Sequence, residues 1–384
     1  MDFSDIPSPC YVLDERALRR NLALIDRVRV ESGAEVIVAL KACAMWSIFS
    51  LLAQHSDGAT ASSLNEARLV AEEFGQPAHT YAPVYSDAEF DDIANLSSHI
   101  TFNSLSQYER FKSRTGTASC GLRVNPGWSP VETDLYNPAL PGSRLGIERL
   151  EKLPEGIEKL PKGIEGLHFH VLCESTAQDL AKALEAFDER FGHLLQNIKW
   201  VNFGGGHLMT REGYDIDLLI ETIKNFRDKH PGTRTILEPG SAFTWRTGCL
   251  VSTIEDIVES ADTRTAMLDT SFACHMPDCL EMPYKPAIVG ARDTAPQEKG
   301  YRMGGCSCLA GDWMGEWSFL EKDGTPRELK VGDKIIFEDM IHYTMVKTTM
   351  FNGVRHPAIA IRRPDNTIEV IKQFTYDDYK TRMS

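Results

Sequence analysis

Between residues 35 and 237 the chain carries eight short apolar runs, at 35–40, 58–61, 79–82, 99–102, 120–124, 166–171, 199–203 and 234–237, with amphipathic stretches between them. Short runs of this kind, alternating with helical apolar periods, are the pattern of repeated βα units on a parallel sheet. The helical periods are clearest at 64–74, 88–96, 177–195 and 216–230. Eight such units predict a (β/α)8 TIM barrel, because twisted parallel strands can remove both sheet edges by pairing the first strand with the last. An open doubly wound sheet is the alternative arrangement of the same units. In both, chemistry belongs beyond the carboxyl ends of the strands, so the residues that terminate these runs are the candidates for function.

After residue 245 the pattern changes to strand-like alternation at 250–258, 265–270, 334–337, 356–362 and 367–371. This predicts a barrel over 14–245 and a second, mostly β domain over 246–384. The segment PCYVL at 9–13 also reads as a strand, so residues 1–13 are expected to complete the β domain. The connection 125–162 is longer and richer in Pro and Gly than the others, and is expected to wrap over the strand ends as a substrate loop.

Composition narrows the partners. A net charge of −14 without a basic stripe argues against nucleic acid and anionic membranes, and suits a cationic small molecule. The first ten residues lack the basic start and apolar run of a secretory leader, and no stretch is long enough to span a bilayer. Nine cysteines without a CxxC pair point to reduced thiols, and the cytoplasm is the expected location. Cys274, His275 and Cys279 match no standard zinc spacing, so no metal is expected.

The strand ends themselves are unusual. The first closes on VALKAC, putting Lys41 after an apolar run, where an ammonium is costly unless paired, solvated or converted to an imine. The sixth ends in HFHVLCE, with His168 and His170 on one side of the strand and Phe169 on the other. The seventh runs into Gly204, Gly205 and Gly206, where backbone N–H groups can approach a phosphate. The eighth ends in ILEPGSAF, placing Glu238 at the rim with Gly240 just beyond. A carboxylate there can keep a pyridine nitrogen protonated. Lysine, imidazole, phosphate cradle and carboxylate together supply the contacts that pyridoxal 5'-phosphate requires.

These residues resemble the alanine-racemase-like, fold-type III decarboxylases, which act on ornithine, arginine, diaminopimelate and carboxynorspermidine. GCSCLAGD (Gly305 to Asp312) is similar to that family's cysteine motif, and HYTMVKTTMFNG (His342 to Gly353) to its tyrosine and FNG segment. The resemblance implies that Lys41 carries the cofactor as an imine, that His170 stacks on its ring and that Glu238 binds the ring nitrogen. It implies that Gly204, Gly205, Gly206, Gly240 and Tyr343 hold the phosphate, with Arg123 and the SRLG segment (Ser143 to Gly146) as further family positions. Cys308 would enter the site of a second subunit as a proton donor, implying a homodimer with shared sites.

Departures from the family pattern point to the substrate. Leu309 stands where the ornithine and diaminopimelate enzymes carry an acid, Thr60 replaces an aspartate of the ornithine branch, and Ser241 replaces a phosphate-binding arginine. The combination resembles the branch acting on carboxynorspermidine and carboxyspermidine, carboxylated triamines on the way to norspermidine and spermidine. For reading the distal amine, Asp278 is the matched aspartate, with Glu174, Glu281 and Asp312 as further acids. Other decarboxylases of the family are the alternative, then a racemase or a non-catalytic cofactor carrier. Racemases of this fold pair the pyridine with arginine, and Glu238 at that place speaks against one.

Overall fold

The computed structural model describes residues 6–148, 160–282 and 284–384. The chain divides into two compact units, Arg20–Phe243 and, discontinuous in sequence, Met1–Arg19 with Thr244–Ser384. Strand β1 (Cys10–Asp14) belongs to the second.

The first unit is a closed barrel of eight strands: β2 (Glu35–Ala39), β3 (Gly58–Ala61), β4 (Ala78–Tyr81), β5 (Ser97–Phe102), β6 (Ser119–Arg123), β7 (Ile164–His168), β8 (Trp200–Asn202) and β9 (Arg234–Leu237). All pairs are parallel, and β2 closes the ring on β9 through Glu35 opposite Ile236. Every apolar run became a strand, and most, such as β2, β3 and β9, are buried on both faces, which suits a β-branched, Ala-rich run better than a helix. The interior is packed, not hollow. The Trp200 indole lies where side chains of Gly121 and Gly166 would be, since a Cβ on either would fall within 2.2 Å of the ring. Several intervening helices start on side-chain caps, as at Thr176 with Asp179 before Ala177–Phe191 and at Asp215 before Ile216–Lys229.

Five of the barrel strands end short of their apolar runs, β7 by three residues and the others by one. β2 stops at Ala39 and β7 at His168, so Lys41 and His170 stand in the loops that follow. Of the predicted substrate loop 125–162, residues 149–159 lie outside the described residues. Its described part returns to β6, where Val124 forms a parallel bridge with Ile147.

The second unit is a nine-stranded sheet. Its strands after the barrel are β10 (Gly248–Ser260), β11 (Thr263–Leu268), β12 (Ala291–Asp293), β13 (Tyr301–Gly304), β14 (Trp313–Phe319), β15 (Lys334–Glu338), β16 (Ala358–Arg362) and β17 (Ile368–Lys372). β1 lies between β10, antiparallel, and β16, parallel, so the PCYVL segment does pair with the C-terminal strands. Strands β12 to β14 were not foreseen. YRMG and WMGEWSF carry glycines and little apolar–polar alternation, and they pair by long-range register that leaves no local period. The helix Tyr376–Met383 was also unforeseen, since it has no buried residue and is marked only by the Thr375–Asp378 capping box. Among the described residues, no helix is long and apolar enough to cross a membrane, and no group of three His, Cys, Asp or Glu could hold a metal ion.

Candidate active site

Four of the barrel's strand ends bring their residues into one connected cluster. Lys41 follows β2 and His170 follows β7, and their Nζ and Nε2 atoms are 3.3 Å apart. The alternation of HFH decides which way the imidazole points. Phe169 is fully buried on the opposite side, stacked 4.8 Å from Phe187 of the covering helix, and so turns His170 inward. His170 Nδ1 is anchored by the Gly205 backbone, 2.9 Å from its N–H and 3.2 Å from its carbonyl oxygen, so the ring is fixed on that side while Nε2 faces Lys41. Burial, and then the neighbouring Lys41 charge, hold His170 well below its ordinary pKa. It is a neutral imidazole.

Lys41 reaches solvent, yet the packed protein around it desolvates its ammonium. That desolvation first, and the Arg123 guanidinium second, lower its pKa. An amine so perturbed is a better nucleophile towards a carbonyl than an ordinary surface lysine. Arg123 itself is 4% exposed at the end of β6. It donates to the His170 carbonyl at 3.1 Å and lies 4.8 Å from the centre of the Tyr81 ring.

The glycine loop is tight for reasons of packing. A Cβ on Gly204, Gly205 or Gly206 would approach the carbonyl oxygens of Phe169, Glu238 and Leu172 to 2.5, 2.3 and 2.2 Å respectively. Gly204 and Gly206 also have φ of +69° and +93°, where other residues are strained. Two of the amide donors expected to serve a phosphate are already used. Gly204 N–H donates to Asn202 Oδ1 at 2.8 Å and Gly205 N–H to His170. The loop therefore also orients the imidazole. His207 secures it from the other side, donating from Nε2 to the Gly204 carbonyl at 3.1 Å. Gly240 is buried and begins the turn into Ser241–Thr244, where its carbonyl accepts from Phe243 N–H.

Glu238 follows β9, one residue past its end. Its Oε1 accepts from Asn202 Nδ2 at 2.6 Å, and its Oε2 lies 3.5 Å from His168 Nε2. Burial on its own raises this carboxyl, but His168 and Asn202 outweigh it and hold Glu238 below its ordinary value. The group is ionised. Asn202 was not foreseen as a site residue; its signal was an amide ending a barrel strand, two positions before the first glycine. The cluster fits pyridoxal phosphate on its own chemistry: an activated amine beside a flat neutral imidazole, a glycine loop with no space for a Cβ, and a carboxylate kept anionic.

The remaining expected residues take several forms. Glu174, in the barrel unit, is exposed with a strained φ of +48°. The others lie in the β unit. Tyr343 has φ of +50°, and exposed Cys308 donates its N–H to Asn352 Oδ1 at 2.8 Å, tying the cysteine motif to the FNG turn. Asp312, expected as an amine contact, is instead 4% exposed. Its carboxylate accepts from Ala273 N–H, Ser307 N–H and Ser307 Oγ at 3.0, 3.0 and 2.6 Å, so it clamps the cysteine loop. Asp278 and Glu281 are both bonded by the Lys347 ammonium. A charge pattern alone could not reveal that internal cation.

Comparison with known proteins agrees with this geometry. Residues 17–245 match the family described as "Pyridoxal-dependent decarboxylase, pyridoxal binding domain". The chain is 49% identical to carboxyaminopropylagmatine decarboxylase of Synechocystis, over 99% of this chain and 96% of that one. It is 42% identical to carboxynorspermidine/carboxyspermidine decarboxylase of Campylobacter jejuni over the full length of both. A crystal structure of carboxynorspermidine decarboxylase from Campylobacter jejuni, complexed with norspermidine, superposes with a TM-score of 0.88 at 41% identity, covering 98% of this chain and 100% of that one.

Proposed function

Since this chain belongs to the pyridoxal-dependent decarboxylase family, we propose that it removes the α-carboxylate from a carboxylated triamine, carboxynorspermidine or carboxyspermidine, to form norspermidine or spermidine. The observation that carries the reading is the Glu238 carboxylate, just past the strand next to that of Lys41 and bonded by Asn202, in a site that also holds the Lys41–His170 pair. Bound pyridoxal phosphate supplies a protonated pyridine that accepts the electron pair left on Cα when carbon dioxide departs.

The chain's own residues do the rest. Lys41 would hold the cofactor covalently through its amine and, when free, would serve as a base or proton carrier. His170, anchored by the Gly205 backbone, would offer its flat face to the cofactor. Glu238 would supply the anion that keeps a pyridine nitrogen protonated. Gly206, Gly240 and Tyr343 would hold the phosphate in the loop shaped by Gly204 and Gly205, whose own N–H groups are bonded to Asn202 and His170, and Arg123 would add a buried positive charge. Glu174 would read the distal amine, with Asp278 as a second acid only where the substrate's cation displaces or shares the place of Lys347, and Cys308 would return a proton to Cα.

A second substrate is favoured by a specific observation. The 49% identity to carboxyaminopropylagmatine decarboxylase makes a triamine-like substrate ending in a guanidinium the competing choice. Purified enzyme offered carboxynorspermidine, carboxyspermidine, carboxyaminopropylagmatine, diaminopimelate and ornithine in turn, with products weighed by mass spectrometry, separates these. Turnover is expected on the carboxylated polyamines. Carbon dioxide from diaminopimelate or ornithine alone would overturn the assignment, and loss of optical rotation without carbon dioxide would indicate a racemase.

The working unit is proposed to be a cytoplasmic homodimer. Around Cys308 the β unit exposes Leu309 at 45% and, on the turn hydrogen-bonded to that cysteine, Phe351 at 50%. Apolar side chains beside an exposed thiol suit burial by a second copy. Mixing Lys41→Ala and Cys308→Ala subunits is expected to restore part of the activity that each lacks. A mixture as inactive as its components would count against shared sites.

A further inference from the structure

His168 closes β7 beside Glu238, and it is 2% exposed with neither ring nitrogen in a hydrogen bond. A buried imidazole without partners is unfavourable, so its retention at the centre of the site needs a reason. Its Nε2 is 3.5 Å from Glu238 Oε2, at ion-pair reach but beyond a good hydrogen bond, and a small rotation would close the gap. The other carboxylate oxygen is already taken by Asn202 at 2.6 Å. On its far side the ring faces Tyr81, 5.4 Å between centroids.

Burial comes first among the causes that hold His168 below its ordinary pKa, and Arg123 and Lys41 add to it against the pull of Glu238. A neutral imidazole can give one N–H without adding a charge. We propose that His168 is a positioning residue for the proton shared by Glu238 and the cofactor's ring nitrogen: its Nε2–H secures Oε2, so that the carboxylate stays ionised and the proton stays on the ring. This rests on the reading of Glu238 given above. With Asn202 as its sole donor, a carboxylate this buried would tend to take the proton itself and leave the ring a weaker electron acceptor.

The test compares His168→Phe, which keeps the volume without a donor, with His168→Gln, which keeps a donor in a different shape. Lys41, His79, Tyr81, Arg123 and His207 also face Glu238 electrostatically and are unchanged in both variants. In the holoenzyme, His168→Phe is expected to lower kcat by about 10- to 100-fold with KM nearly constant, the size of one lost hydrogen bond to a charged group. His168→Gln should recover most of that loss. In the cofactor-free protein, the Glu238 carboxyl carbon resonance, assigned by its disappearance in Glu238→Gln, should titrate about one pH unit higher in the Phe variant and near wild type in the Gln variant.

A packing role predicts the reverse order, with Phe harmless and Gln damaging, and that order would overturn the proposal. So would a normal Phe variant while Glu238→Gln is crippled. If Glu238→Gln itself turned over normally, the assignment of Glu238 beneath this inference would be what fails.

Discussion

Glu238→Gln should lower kcat by about 10²- to 10³-fold while the purified protein still carries a full complement of cofactor. The amide cannot hold a proton on a pyridine nitrogen as an anion does, so the ring loses most of its capacity to accept the electron pair from Cα. Cofactor retention follows because the other expected contacts, at Lys41, His170, the glycine loop and Tyr343, are untouched. The effect should fall on kcat and leave KM close to wild type, since the carboxylate acts on charge that develops during the reaction. Steady-state kinetics together with cofactor released on denaturation measure both quantities. Full turnover at full occupancy would remove Glu238 from the mechanism.

Lys41→Ala should cost about 10⁴-fold in turnover, the upper range for loss of a positioned proton carrier, and also remove covalent attachment. Borohydride treatment is expected to fix the cofactor irreversibly to the wild-type chain and not to the variant, as read by intact mass. His170 cannot substitute from 3.3 Å away. An imidazole has no primary amine with which to form an imine, and burial holds His170 well below its ordinary pKa, so it carries no surplus proton to give. An adduct of equal yield in the variant would place the attachment at another lysine.

Much of this site was legible in the chain because its chemistry is carried by residue types at strand ends. Lys41, His170, Gly204 to Gly206 and Glu238 each terminate an apolar run, and closing the barrel brings those ends to one rim. The link from Lys41 to His170 to Gly205 was therefore foreseeable in kind. Asn202 was missed because asparagine at a strand end is also an ordinary turn residue, and its role depends on Glu238 of the neighbouring strand. Asp312 was misread for the converse reason. An acid near a cysteine motif looks available until three donors from Ala273 and Ser307 are found saturating it.

The barrel's strand periods and its glycine positions were determined by the sequence alone, because each follows from the burial and backbone preferences of a few consecutive residues. Tertiary structure alone decided the anchoring of His170 on the Gly205 backbone, the lowered pKa of Glu238 and the pairing of Asp278 with Lys347. The physical reason is that a proton's position is set by the donors and charges within a few ångströms of it, and here those neighbours arrive from segments distant in the chain.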